Sequence, residues 1–253
     1  MSDPLDALAA LTADYRQKLP RRRRALAALW ARLPHDDEQL GVCSELRLQV
    51  HRLAGSAGAF GFDALSRAAR RVDQILKGWL LAPPASRPPR SRLIEELAQP
   101  FADLLAVFGE DAAASAEETA AAPVSGRALR LIHVEDDLDQ AALLRLRLER
   151  LGLCVHVAAD AEALFEALPR VRPDAVLLDY WLGGENGADL ARAIRSTPGC
   201  ETLPLLCLTS DIGDRVRLDA LAAGCDEVMS KVQSAAQLAA AICAWVAGVV
   251  PER

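Results

Sequence analysis

The chain has 253 residues, 51% hydrophobic and 25% charged, enough for one large domain or two ordinary ones with well-filled cores. Its 29 basic and 35 acidic residues leave a net charge of −6, and aromatics make up only 4%. That balance argues against a broadly basic nucleic-acid binder and against a base-stacking platform. The start, Met1-Ser2-Asp3-Pro4, lacks the basic-then-apolar pattern of a secretory leader. The most apolar stretch, 235–250, contains Gln237 and is short for a bilayer span, and the six cysteines form no CxxC pair. The expectation is a reduced, cytoplasmic protein with no membrane insertion, zinc site or disulfide framework.

From the N-terminus, apolar residues recur at helical spacing in about 4–17, 21–33, 44–59, 63–82 and 91–108. Pro20, Pro34, Gly58/Gly61 and the run PPASRPPR at 83–90 read as breaks between them. Short connections predict an all-α antiparallel bundle over 1–109. The run Arg21 to Arg24 is expected to be a solvated collar on its helix, because consecutive helical residues point in different directions.

In the third of these helices Leu46, Val50, Leu53, Ala57 and Phe60 step by four and three and form one buried stripe. His51 lies off it, on a face shared with Arg47, Ala54, Gly55 and Gly58. Glycine inside a helix costs up to about 1 kcal/mol against alanine, so two glycines beside an imidazole need a reason. One is clearance, letting another protein's active site reach an exposed His51. Neutral imidazole is a good nucleophile toward phosphoryl groups. The competing explanation is close helix packing at the glycines.

Residues 110–126, EDAAASAEETAAAPVSG, are small, acidic and without apolar periodicity, the character of a flexible tether. Beyond it the pattern alternates. LRLIHV (129–134), CVHV (154–157), DAVLL (174–178), PLLCL (204–208) and DEVM (226–229) predict five strands, with amphipathic segments between and after them. Such alternation over 127–253 predicts an α/β doubly wound, five-stranded parallel sheet, with its chemistry beyond the C-terminal strand ends.

Those ends carry Glu135-Asp136-Asp137, Asp179, Thr209 and Lys231. Clustered carboxylates repel and raise one another's pKa unless a hard cation joins them, and Mg²⁺ (or Mn²⁺) accepts a few carboxylates while keeping waters. A carboxylate beside the metal is a workable nucleophile for a phosphoryl group, with the ammonium and hydroxyl serving its equatorial oxygens. Asp137 reads as a helix cap. His35, His133 and His156 read as bystanders.

The segments IHVEDD (132–137), LLDYWLGGENG (177–187), PLLCLTS (204–210) and AGCDEVMSK (223–231) resemble the receiver domain of two-component response regulators, of flavodoxin-like fold. The resemblance implies that Asp179 is phosphorylated. It also implies that Glu135, Asp136, Asp179 and the backbone carbonyl of Trp181 bind the metal, and that Thr209 and Lys231 contact the phosphoryl group. Where the family commonly has proline after the lysine, this chain has Val232; a non-proline cis bond is costly, so that loop is expected to be trans. The family's aromatic switch position is Val228. A dehalogenase-like phosphatase would need a second Asp where Trp181 stands.

HRLAGSAGAFG (51–61) resembles the histidine-containing phosphotransfer (Hpt) domain, which implies a phosphorylated His51. The family's lysine three after the histidine is Ala54 here, leaving Arg47 or Arg52 to supply positive charge. Together the two resemblances imply a phosphorelay protein, a phosphocarrier and regulator rather than an enzyme. The donor would be a sensor histidine kinase or its receiver domain. Onward partners would be an Hpt or receiver protein or an effector, with no DNA-binding domain in the chain. Two alternatives are an adaptor whose receiver surface binds with little dependence on phosphate, and a phosphate sink, in which Trp181 and Asp211 gate the attacking water. The first half is slightly basic and the second acidic, which weakly favours encounter between them.

Overall fold

The structure, a computed structural model, describes residues 4–35, 40–109, 127–182, 185–210, 213–231 and 233–248. The expected tether at 110–126, and with it Asp211 and Val232, lies outside the described residues. The chain divides into two compact units, one helical within 9–116 and one α/β within 117–253.

The helical unit holds α1 (Pro4–Arg32), α2 (Gly41–Ala59), α3 (Asp63–Leu81) and α4 (Arg90–Ala106). The expected break at Pro20 is corrected: α1 runs through it. A mid-helix proline costs about 3 kcal/mol through its missing N–H and ring clash. Here Tyr15, Leu19, Leu26, Leu29 and Leu33, all buried, form one stripe that spans the proline. Each such side chain contributes about 1.5–3 kcal/mol on burial, so a continuous apolar face outweighs the local penalty. Tyr15 stacks on Phe60 with centroids 4.3 Å apart, and Trp30 on Phe101 at 4.7 Å.

The arginine run is largely the solvated collar that its spacing predicts, with Arg21, Arg23 and Arg24 exposed and only Arg22 half-buried. Arg22 donates to Ser56 Oγ at 2.9 Å and lies over the Tyr15 ring. Arg23 donates to the Leu105 carbonyl at 3.1 Å, and Arg24 to the Pro20 carbonyl at 3.3 Å. The aliphatic stem of an arginine lets its guanidinium reach back from a helix surface. The stripe read in α2 holds, with Leu46, Val50, Leu53, Ala57 and Phe60 all buried. A second face of α2 is covered by α3.

The α/β unit follows as β1 (Arg130–Val134), α5 (Leu138–Arg150), β2 (Cys154–Ala158), α6 (Ala161–Val171), β3 (Ala175–Asp179), a two-residue hairpin β4/β5 (Trp181–Leu182, Glu185–Asn186), α7 (Gly187–Arg195), β6 (Leu205–Thr209), α8 (Asp214–Ala222), β7 (Glu227–Ser230) and α9 (Ala235–Val246). All neighbours in the five-stranded sheet are parallel, in the order β2-β1-β3-β6-β7. Leaving out the hairpin, this is the doubly wound flavodoxin-like order. β3 and β6 are buried along their whole length, as central parallel strands must be. Ile132, Val134, Val176, Leu178, Leu205 and Cys207 face one apolar layer, and Leu131, Leu177, Leu206, Leu208 and Met229 the other. The hairpin is too short to carry a period and was not legible in the sequence. No helix among the described residues is long and apolar enough to cross a membrane.

Candidate functional site

In the sheet β1, β3, β6 and β7 are consecutive neighbours. Their C-terminal ends therefore bring Glu135, Asp179, Thr209 and Lys231 to one edge, although the residues span almost a hundred positions of chain. The order reverses at β1, with β2 on one side and β3 on the other, and such a switch point opens a crevice above the strand ends.

One carboxylate oxygen from each of Glu135, Asp136 and Asp179 lies within 4.8 Å of the others. Glu135 and Asp179 are buried, and so is Thr209. Lys231 Nζ donates to Glu135 Oε2 at 2.6 Å and to Asp179 Oδ2 at 2.7 Å. The Lys231 peptide N–H donates to the Thr209 carbonyl at 3.0 Å, which locks the root of its side chain to β6. The Trp181 peptide N–H donates to Asp179 Oδ1 at 3.2 Å. Asp137 caps α5, accepting from Asp139 N at 3.0 Å and Gln140 N at 3.3 Å; this agrees with its reading as a cap.

Burial pushes the Glu135 carboxyl up to about 8 against the opposing pull of the Lys231 charge. Burial alone would lower the Lys231 ammonium, but Asp179 and Glu135 outweigh it and hold the ammonium above its ordinary range. The pocket is thus a dense acidic cluster held around one buried cation. Its donor set, hard carboxylate oxygens that converge within a few ångströms, fits Mg²⁺ or Mn²⁺.

Tyr180 is a contributor that the sequence reading missed. Its ring is buried beside Asp179, and its hydroxyl donates to Asp219 Oδ2 on α8 at 2.7 Å. Burial and then the Asp219 hydrogen bond push this phenol up to about 12. The pairing spans 39 residues, and nothing local in the sequence announces it. Val228, the residue at the switch position, is buried in the apolar layer that also holds Tyr180.

In the helical unit the expected exposure of His51 is corrected: its side chain is only 13% accessible. Its Nδ1 lies 2.9 Å from Asp73 Oδ2 on α3. Arg47 Nε lies 3.2 Å from the other oxygen, Asp73 Oδ1. The clearance explanation, offered for Gly55 and Gly58, is corrected at Gly58, where the competing one, close helix packing, holds. A Cβ on Gly58 would stand 2.9 Å from Ser66 Oγ, and Ser66 Oγ donates to the Ala54 carbonyl at 2.6 Å, with Ala54 buried. Ala54 and Gly58 therefore serve the close approach of α3 to α2. Asp73 flanks the buried Leu65, Ala69, Val72 and Leu76 of α3, and helical periodicity gives it no distinguishing mark. Of the other histidines, His133 is buried with no hydrogen-bond partner on either ring nitrogen.

Two family models match the chain, the Hpt domain over residues 8–107 and the response regulator receiver domain over 131–243. Among curated proteins, the chain is 33% identical over 119 residues to the phosphate regulon transcriptional regulatory protein PhoB of Rhizobium meliloti (strain 1021), covering 47% of this chain and 52% of that protein. It is 32% identical over 124 residues to the response regulator MprA of Mycobacterium leprae (strain TN), covering 49% and 54%. The chain spans about half the length of the curated relatives it matches. Among solved structures, the receiver domain of the sensor histidine kinase PA1611 from Pseudomonas aeruginosa PAO1, which carries a magnesium ion in its active-site cleft, is similar at 26% identity and a TM-score of 0.45, covering 47% of this chain and 98% of that one.

Proposed function

Because the chain is an Hpt domain joined to a receiver domain of two-component signalling, we propose that it is a phosphorelay protein in which a phosphoryl group passes between Asp179 and a histidine, with His51 as the carrier of the helical unit. The observation that supports this reading most directly is the pocket, where Glu135, Asp136 and Asp179 converge within 4.8 Å and Lys231 sits 2.7 Å from Asp179.

Glu135, Asp136, Asp179 and the Trp181 backbone carbonyl would hold Mg²⁺ or Mn²⁺. The bound cation would supply charge neutralisation for phosphoryl oxygens. The chain's own groups do the rest. An Asp179 oxygen attacks phosphorus of an incoming phosphohistidine; an O–P bond forms, the P–N bond breaks, and the imidazole nitrogen leaves with its electron pair. Lys231 neutralises charge on the equatorial oxygens and Thr209 donates its hydroxyl to one of them. Burial of Thr209 and Asp179 strengthens these contacts by keeping bulk water away. The donor is a sensor histidine kinase or its receiver domain, and His51 offers a route onward to a receiver. Arg47, Arg52, Ala54, Gly55 and Gly58 frame the docking face, with Ala54 and Gly58 acting through the fit of α3 against α2.

The test is intact-protein mass after incubation with a small acyl phosphate, with and without Mg²⁺, on wild type, Asp179→Asn and His51→Gln. Metal-dependent, alkali-labile labelling that disappears in Asp179→Asn, with an alkali-stable label that disappears in His51→Gln, is the expected result. Labelling that persists in Asp179→Asn overturns the assignment. Absence of label from both the acyl phosphate and a phosphorylated Hpt donor favours the adaptor.

A further inference from the structure

Tyr180 directly follows Asp179, and its two ends are tied to different parts of the α/β unit. At the backbone end, the peptide between Tyr180 and Trp181 makes two hydrogen bonds. Its N–H donates to Asp179 Oδ1 at 3.2 Å, and its carbonyl accepts from the N–H of Gly187, the first residue of α7, at 2.9 Å. A peptide unit is planar and rigid, so these two bonds move together. At the side-chain end, the ring is buried in the layer that holds Val216 and Ala220 of α8. Its hydroxyl donates to Asp219 Oδ2, also on α8, at 2.7 Å. The other Asp219 oxygen accepts from Arg192 of α7 at 3.3 Å; that pair faces solvent and contributes little. The phenol thus joins the residue after Asp179 to α8 through a buried ring.

We infer that the Tyr180 hydroxyl couples phosphorylation of Asp179 to α8: the peptide after Asp179 shifts when the carboxylate is loaded, and the phenol loosens from Asp219. This rests on the reading of Asp179 as the phosphorylated residue. Asp179 Oδ1 holds the Trp181 N–H and Oδ2 holds Lys231. When either oxygen bonds phosphorus, a bond on this carboxylate is disturbed, and the charged phosphoryl oxygens draw the nearby donors to themselves. The Trp181 N–H is one of those donors, and the Tyr180 carbonyl shares its peptide plane. The sign follows from the length of the phenol's bond. An O–H···O contact of 2.7 Å is already at its preferred distance, so displacement in either direction weakens it. The unloaded state therefore keeps a bond that the loaded state loses. Linkage is reciprocal: a bond that loading weakens must itself oppose loading, by the same factor. Removing the hydroxyl should then favour the loaded form, whereas loss of a merely structural bond would weaken the pocket or leave it unchanged.

The experiment uses the full chain with Mg²⁺ and trifluoroberyllate, which bonds reversibly to a carboxylate oxygen in the place of a phosphoryl group. Two quantities are read: the Kd for trifluoroberyllate, and amide hydrogen exchange over residues 214–222 of α8 with and without it. In wild type, exchange in α8 is expected to rise on loading, and in Asp179→Asn it should not respond. In Tyr180→Phe, α8 should exchange faster before loading and change little on it, and the Kd should fall about 5-fold or more. Asp219→Ala, which removes the acceptor from the other side, should tighten binding in the same direction. Misfolding would weaken binding, so a tighter Kd in both variants has no trivial origin. Loading of wild type with unchanged exchange in α8 overturns the inference. So does a Tyr180→Phe protein that binds trifluoroberyllate as wild type does, or more weakly. If wild type binds no trifluoroberyllate and takes no label at Asp179, the phosphorylation reading itself fails and the coupling falls with it.

Discussion

A Cβ on Gly187 would stand 2.8 Å from the Cα of Tyr180 and nearer still to the carbonyl oxygen of Asp179. The first residue of α7 is therefore pressed against the backbone of Asp179 and Tyr180, and its N–H donates to the Tyr180 carbonyl at 2.9 Å. Any side chain here displaces the end of β3. Gly187→Ala is expected to destabilise the α/β unit by about 1–3 kcal/mol, the usual cost of overpacking, and to lower metal-dependent labelling of Asp179. Chemical denaturation read alongside the labelling yield checks both. An unchanged midpoint would mean that the loop yields more easily than this geometry implies.

The acidic cluster makes a prediction about metal. Mg²⁺ should raise the unfolding midpoint, by about 2.7 kcal/mol at a hundred times its Kd, and a chelator should reverse the shift. Asp136→Asn should lose most of it. Lys231 is the cation already placed between Glu135 and Asp179. Lys231→Ala should cost about 3–5 kcal/mol without metal, as removal of one partner from a buried pair does. It should then regain more from Mg²⁺ than wild type does. Thermal unfolding with Mg²⁺, without it and with a chelator supplies these comparisons.

His133 shapes the pH dependence of stability. Burial, and then the Lys231 charge, push its ring down to about 3. The unfolded chain takes up the same proton near about 6.5. As pH falls the unfolded state therefore protonates first. The stability gained by keeping the ring neutral is complete above about 6.5 and drains away toward about 3. His133→Leu should flatten that slope in acid titrations. It should also gain about 1–3 kcal/mol at neutral pH by removing buried polar atoms that have no partner. Equal slopes for the two proteins would show that other groups carry the acid sensitivity.

Pro20 tests the continuity of α1. If one buried stripe carries the helix across the proline, Pro20→Ala restores a backbone hydrogen bond at an exposed position without changing the core. The helical unit should gain about 1–3 kcal/mol, within the known penalty for a helix-interior proline. Loss of stability on this substitution would mean that the packing of α1 depends on a bend at Pro20.

Much of the architecture was legible because it is periodic. Alternation over 129–229 marked all five strands of the sheet to within a residue or so, and the stripe Leu46–Phe60 marked the buried face of α2. Glu135, Asp179, Thr209 and Lys231 stood out because each follows a strand, and parallel strands in one sheet must end on the same edge. The error at Pro20 came from weighing a local breaker above a stripe that continues on both sides of it.

The sequence by itself determined the five strands of the sheet, the buried stripe of α2, and which chemical groups reach the sheet's functional edge. All of these follow from residue spacing along the chain. Only the tertiary structure decided that Asp73 meets His51 across 22 residues, that Tyr180 meets Asp219 across 39, and that Gly58 yields its space to Ser66. The physical reason is that amphipathic spacing says that a face is covered but not by what. A hydrogen bond between two helices depends on their relative rotation and approach, which the packing of the whole unit sets.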